Sequence, residues 1–156
     1  MLKYINVYSF IKKIQMNNQE ITSFNMNKWK DIYYKNDYDT SRNWLLANSN
    51  NVFPSIYYAI YTEDLPPMEF MVNNRINGYF QELEGTKGFT NIGHGRAIMR
   101  DGKVIFIWMF TTTEIPDEMK NSSLYQCCSW EKITRDDSRF DTDMLFEEPT
   151  NYIDYK

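Results

Sequence analysis

The sequence predicts an α+β fold in which N-terminal helices pack on an antiparallel sheet of about five strands, and three observations predict it. Helix-like periodicity comes before Pro54, and β-branched and aromatic runs come after it. Segregation of helices from strands favours an antiparallel sheet over alternating βαβ units. Asp101-Gly102 lies between two apolar runs, which is the mark of a two-residue type I′ hairpin turn. Finally, Val104 to Phe110 is apolar on both faces, as expected of a strand in the middle of its sheet.

The elements follow in order. Leu2, Ile5, Tyr8, Ile11 and Ile14 recur at three-residue spacing and favour a helix over residues 2–14. Asn27 is positioned to cap a short helix carrying Trp29, Ile32 and Tyr33. Asp39 or Thr40 caps a second, through Trp44, Leu45 and Leu46, ending near Asn48. Residues 55–62 read as a buried strand. Leu65-Pro66-Pro67 makes a turn, because neither proline can donate to a ladder. Met68 to Val72 and Gly78 to Leu83 read as two further strands, and residues 96–100 and 103–113 as the arms of the hairpin. Pro116 opens a helical turn, and Leu124 to Ile133 closes the sheet. The helices are expected on one face, with Trp29, Trp44, Leu45, Ile56, Tyr58, Ile105, Phe106 and Ile107 in the core.

A chain of 156 residues is the size of one domain, so residues 1–156 are read as a single unit with 1–16 peripheral. Asn6 and Ser9 interrupt the first apolar stretch and Lys12 and Lys13 follow it, which does not fit an export signal. No run is long and apolar enough for a membrane span, and the expected location is the cytoplasm. Cys127 and Cys128 are adjacent, and neighbours in a strand point to opposite faces, so they read as two free thiols of a reducing compartment.

The charge is uneven. Residues 111–156 carry eleven Asp and Glu against five Lys and Arg, which argues against phosphate binding there and against direct contact with nucleic acid. Within residues 135–156, Asp136, Asp137, Asp141, Asp143, Glu147 and Glu148 alternate with Phe140 and Phe146. Carboxylates for steering and aromatics for anchoring suit a basic protein partner. The leading expectation is therefore a small acidic inhibitor, such as an immunity protein or antitoxin that covers a toxin or another nucleic-acid-handling enzyme. A phage-encoded anti-defence protein is the same reading in a different setting.

The alternative is a small-ligand or enzymatic site. His94, the only histidine, lies in Gly93-His94-Gly95-Arg96, at the end of the glycine-rich stretch from Gly85 to Gly95. A mobile loop with His94 and Arg96 would suit an anion or a general base. One histidine excludes any two-histidine motif, no phosphate-binding loop or dinucleotide fingerprint is present, and no cofactor is expected. Glu118-Met119-Lys120 has the letters of a metal-nuclease motif but follows Pro116 in a helical turn, away from a strand end. The sequence therefore reads as non-enzymatic, with no metal site.

Overall fold

The computed structural model describes residues 24–49, 53–142 and 152–156. The helix expected over residues 2–14 lies outside them.

Two helices come first: α1 (Met26–Lys35) and α2 (Tyr38–Ala47). Each is capped two or three residues earlier than the sequence reading placed it. The Asn25 carboxamide accepts from the Lys28 backbone N–H at 3.0 Å, and the Asp37 carboxylate from Thr40 N–H at 2.7 Å. Then come β1 (Ser55–Tyr61), α3 (Glu69–Glu84), α4 (Phe89–Ile92), β2 (Gly93–Arg100) and β3 (Lys103–Phe110). They are followed by α5 (Asp117–Lys120), α6 (Ser123–Gln126), β4 (Cys128–Ile133), α7 (Ser138–Thr142) and β5 (Tyr152–Tyr155).

The sheet is five-stranded, ordered β4-β1-β3-β2-β5, with every neighbouring pair antiparallel. The expected α+β class therefore holds, as do the central position of β3 and the hairpin. Asp101 and Gly102 both have positive φ, at 53° and 76°, the pair of values a type I′ turn requires.

Four expectations are corrected. Residues 69–84 form one helix and not two strands. Val72, Ile76, Phe80 and Leu83 are its buried residues, at the spacing of one helical face. Helices cover both faces of the sheet, not one. Trp29, Tyr33 and Leu45 of α1 and α2 pack with Ile56, Tyr58, Ile105, Ile107 and Met109. Val72, Ile76, Phe80 and Leu83 of α3 pack with Tyr57, Ala59, Phe106, Trp108 and Phe110 on the opposite face. Phe106 is in the core as expected, but on the α3 side. The third correction concerns Leu124, which lies in α6, so the strand begins only at Cys128. Lastly, the strand ending at Ile133 is not the last one, because residues 152–155 form the opposite edge of the sheet.

The glycines of β2 serve packing. A Cβ at Gly95 would lie 2.5 Å from the Trp108 ring, and one at Gly93 would lie 3.0 Å from the Phe89 ring. The indole lies flat on the strand backbone, and only glycine leaves room for it. Gly95→Ala should lose about 1–3 kcal/mol through overpacking. Gly78→Ala, on α3 with no atom within 4 Å of the new Cβ, should gain up to about 1 kcal/mol. Urea unfolding of the two variants beside the parent checks both. A neutral Gly95→Ala would show that the close approach of Trp108 is not what keeps glycine there.

Candidate functional site

Strand β2 points His94, Arg96 and Ile98 toward α1 and α2. His94 and Arg96 are polar groups buried in that layer, so their hydrogen bonds must be found inside the protein.

His94 is fully buried. The Trp29 indole N–H donates to its Nδ1 at 2.9 Å. Indole is a donor only, so Nδ1 is the accepting nitrogen and the neutral ring carries its proton on Nε2. Nε2 then donates to the Tyr34 hydroxyl, 2.9 Å away. The Tyr34 hydroxyl in turn reaches the Tyr155 carbonyl of β5 at 3.5 Å. Burial, with the nearby charges of Lys30 and Arg96, holds the imidazole down at about 3, so the ring stays neutral. The edges of Trp29, Tyr33 and Tyr34 surround it. As placed, His94 ties α1 to β2 and, through Tyr34, to the edge strand.

Arg96 is 1% exposed. Its Nε donates to Asp154 Oδ1 at 2.7 Å, and its Nη2 to the Tyr38 hydroxyl at 2.9 Å. Register brings the pair together, because Arg96 and Asp154 are direct partners across β2 and β5. The guanidinium lies 4.1 Å from the Tyr152 ring centroid and within 6 Å of those of Tyr38 and Tyr33, which is cation–π range. Burial opposes the charge, but the bonds to Asp154 and Tyr38 and the field of Tyr33 outweigh it, and the guanidinium is held even more firmly protonated than usual. Burial pushes the hydroxyls of Tyr33 and Tyr34 up. Removing one partner of such a buried pair is costly, since the other is left charged and uncompensated.

Outside this layer the molecule opens into a concavity of about 340 Å³. Its lining includes Tyr34, Asn36, Asp37, Tyr38, Tyr152 and Arg96. Tyr34 and Tyr152 flank it, each 39% exposed. Sequence reasoning singles out Arg96 but does not join it to Tyr34, Tyr38 and Tyr152, which come from three separate segments. The doublet Tyr33-Tyr34 was the available signal. Among the described residues, no group of three or more His, Cys, Asp or Glu is gathered that could hold a metal ion.

The stretch from Gly85 to Gly95 is not a mobile loop. It contains the C-cap of α3 at Gly85, a turn, the short α4 and the start of β2. The acidic segment is also placed differently from the picture of a free carboxylate cluster. Asp136 is exposed, but the Asp137 carboxylate accepts from Arg139 N–H, Nε and Nη2, and these bonds hold it near 2. Arg139 also pairs with Glu131. Phe140 is buried against Phe53, in the core layer of α1 and α2. Asp141 contributes backbone to α7. Asp143, Phe146, Glu147 and Glu148 lie outside the described residues.

Comparison with known families supplies the rest. The family model for "Elongation factor 1 gamma, conserved domain" matches residues 11–114. The match takes in α1 to β3, with Trp29, Tyr33, Tyr34, Tyr38, His94 and Arg96, and leaves out β5 and the acidic segment. No curated protein and no solved structure matches the chain. The match corrects the functional expectation. The readings as immunity protein, antitoxin or anti-defence protein give way to a translation-factor-related domain, and the basic toxin or nuclease falls as partner. Among the described residues, no helix is long and apolar enough to cross a membrane.

The histidine carries a pH dependence. Its folded-state value lies below the ordinary 6.5, so the unfolded chain takes up a proton first as pH falls. Stability should be unaffected by His94 above 6.5, then decline by about 1.4 kcal/mol per pH unit toward 3. The chain has no other histidine, and the contribution of Asp137 is lost only below its ordinary 3.8. Urea unfolding between pH 7 and 4.5 reads the histidine term in isolation from Asp137. A flat profile there would mean the folded imidazole titrates at its ordinary 6.5, and so is not held neutral by burial and the Trp29 bond.

Proposed function

The chain belongs to the elongation factor 1 gamma conserved-domain family, and from that premise we propose that it is a non-catalytic binding domain of the translation elongation machinery. It works in the cytoplasm and engages another protein of that machinery through the concavity between α1 and β5.

One observation carries the reading. Tyr34 and Tyr152 stand half-exposed beside Arg96, whose guanidinium is pinned by Asp154 and Tyr38. Tyrosine and arginine are the residue types over-represented where binding energy concentrates. Here they are already fixed before any partner arrives, so little conformational entropy remains to be lost on association. The neutral, doubly bonded His94 supports the non-catalytic part: a general base needs proton affinity near the working pH and a reachable substrate.

The test is association with elongation-factor subunits. In the Tyr34→Ala/Tyr152→Ala variant, binding to a purified elongation complex should weaken at least about tenfold, as for a central anchor. Calorimetry gives the affinity, and circular dichroism checks that the variant is folded. Undiminished binding by the folded double variant would place the interface elsewhere.

A further inference from the structure

Among the described residues, the large hydrophobic side chains left in solvent fall in two places. Tyr34 and Tyr152 belong to the concavity. Met68, Phe70 and Met71 form the second group, at the start of α3, and are 55%, 57% and 40% exposed. They lie across the sheet from the concavity, on the outer side of a helix whose inner side is complete with Val72, Ile76, Phe80 and Leu83. The core does not require them.

Three further features describe this face. It is negative: between residues 62 and 86 the chain carries Glu63, Asp64, Glu69, Glu82 and Glu84 against a single cation, Arg75. The Arg75 guanidinium is folded back, with Nη1 donating to the Asp64 carbonyl at 2.9 Å and to the Tyr61 hydroxyl at 3.2 Å. Farther along the same face, Asn74 and Gly78 offer small, uncharged surface about one and two turns beyond Met71. Glycine is a poor helix former, and among the described residues nothing comes near the Cβ position of Gly78. Methionine is the adaptable side chain of helix-binding grooves.

We infer that the outer face of α3, led by Met68, Phe70 and Met71, is a docking surface for an amphipathic helix of another protein that carries cationic side chains at its ends. The apolar side of that helix covers Phe70 and Met71 and approaches closely at Gly78. Its terminal lysines or arginines meet Glu63, Asp64 and Glu69 at one end and Glu84 at the other, where Glu82 adds charge while accepting from Ser123 N–H at 3.0 Å. The charge pattern selects this occupant over a second copy of the chain, whose own α3 would bring the same acids against them.

The probe is a synthetic amphipathic helix of about four turns, leucine-faced, with lysine at both ends, titrated into the full chain by fluorescence anisotropy. Saturable binding is expected, weakening as salt is raised. Phe70→Asp and, separately, Met71→Lys should each weaken it about tenfold or more, while Tyr152→Ala leaves it unchanged. Both α3 positions are exposed, so the variants fold, and thermal melts verify it. Four results would overturn the proposal: equal binding of a helix with glutamate ends, no loss in either α3 variant, self-association of the chain that Phe70→Asp abolishes, or sedimentation with anionic phospholipid vesicles in place of peptide binding.

Discussion

The architecture depends on covering a strand that is apolar on both sides. From Val104 to Phe110 every residue of β3 is buried. Side chains alternate between faces, so Phe106, Trp108 and Phe110 need one apolar layer and Ile105, Ile107 and Met109 need another. Two helical layers are the minimum solution. Helices α1 and α2 cover one face, and α3, inserted between β1 and β2, covers the other. The chain order then follows. A helix between β1 and the hairpin lets β3 pair with β1, its antiparallel neighbour, while the Asp101-Gly102 turn keeps β2 on its other side.

Strand β2 accommodates these two layers unequally. Toward α3 it presents almost no side-chain bulk, Gly93, Gly95 and Ala97, because the large rings of Phe89 and Trp108 fill that layer. Toward α1 it presents His94 and Arg96, whose polar atoms must be satisfied in a dry environment. Trp29, Tyr34 and Tyr38 supply part of that satisfaction from α1 and α2, and Asp154 supplies the countercharge from β5. The family match ends before β5, yet the buried guanidinium inside the match takes its carboxylate from beyond it. The edge strand is therefore as necessary to this layer as the helices are.

How much of this was legible in the sequence depends on the range of the interactions. The hairpin and the central strand were, since a turn type and a two-faced apolar run are local. The caps of α1 and α2 fall two or three residues before the expected ones, because Asn27, Asp39 and Thr40 are as good capping chemistry as Asn25 and Asp37 and only the backbone decides. Helix α3 was missed for a more informative reason. Its buried set has helical spacing, but Met68, Phe70 and Met71 add apolar residues in solvent and blur the period into something strand-like. The Gly-His-Gly triplet was read as mobility because glycine's other use, admitting an indole from a neighbouring strand, is not visible along one chain segment. Likewise, the pairing of Asp137 with Arg139 is written two residues apart, but Phe140 inside the core is not.

The same residues that obscured the helix set the surface apart. Where local pattern and fold agree, as along β3, the residue choices are explained by the core. Where they disagree, something outside the core has to account for them. On the α1 side the surplus is Tyr34 and Tyr152 beside a buried arginine. On the α3 side it is Met68, Phe70 and Met71 among acids. A helix layer, the sheet and a second helix layer stand between the two, about 20 Å from outer layer to outer layer at roughly 10 Å per packed step. Ligands at these two places do not compete for space, and a sheet with both faces closed keeps their separation fixed. On the two proposals above, the domain holds two proteins at a set distance, which is a structural role that requires no catalytic group.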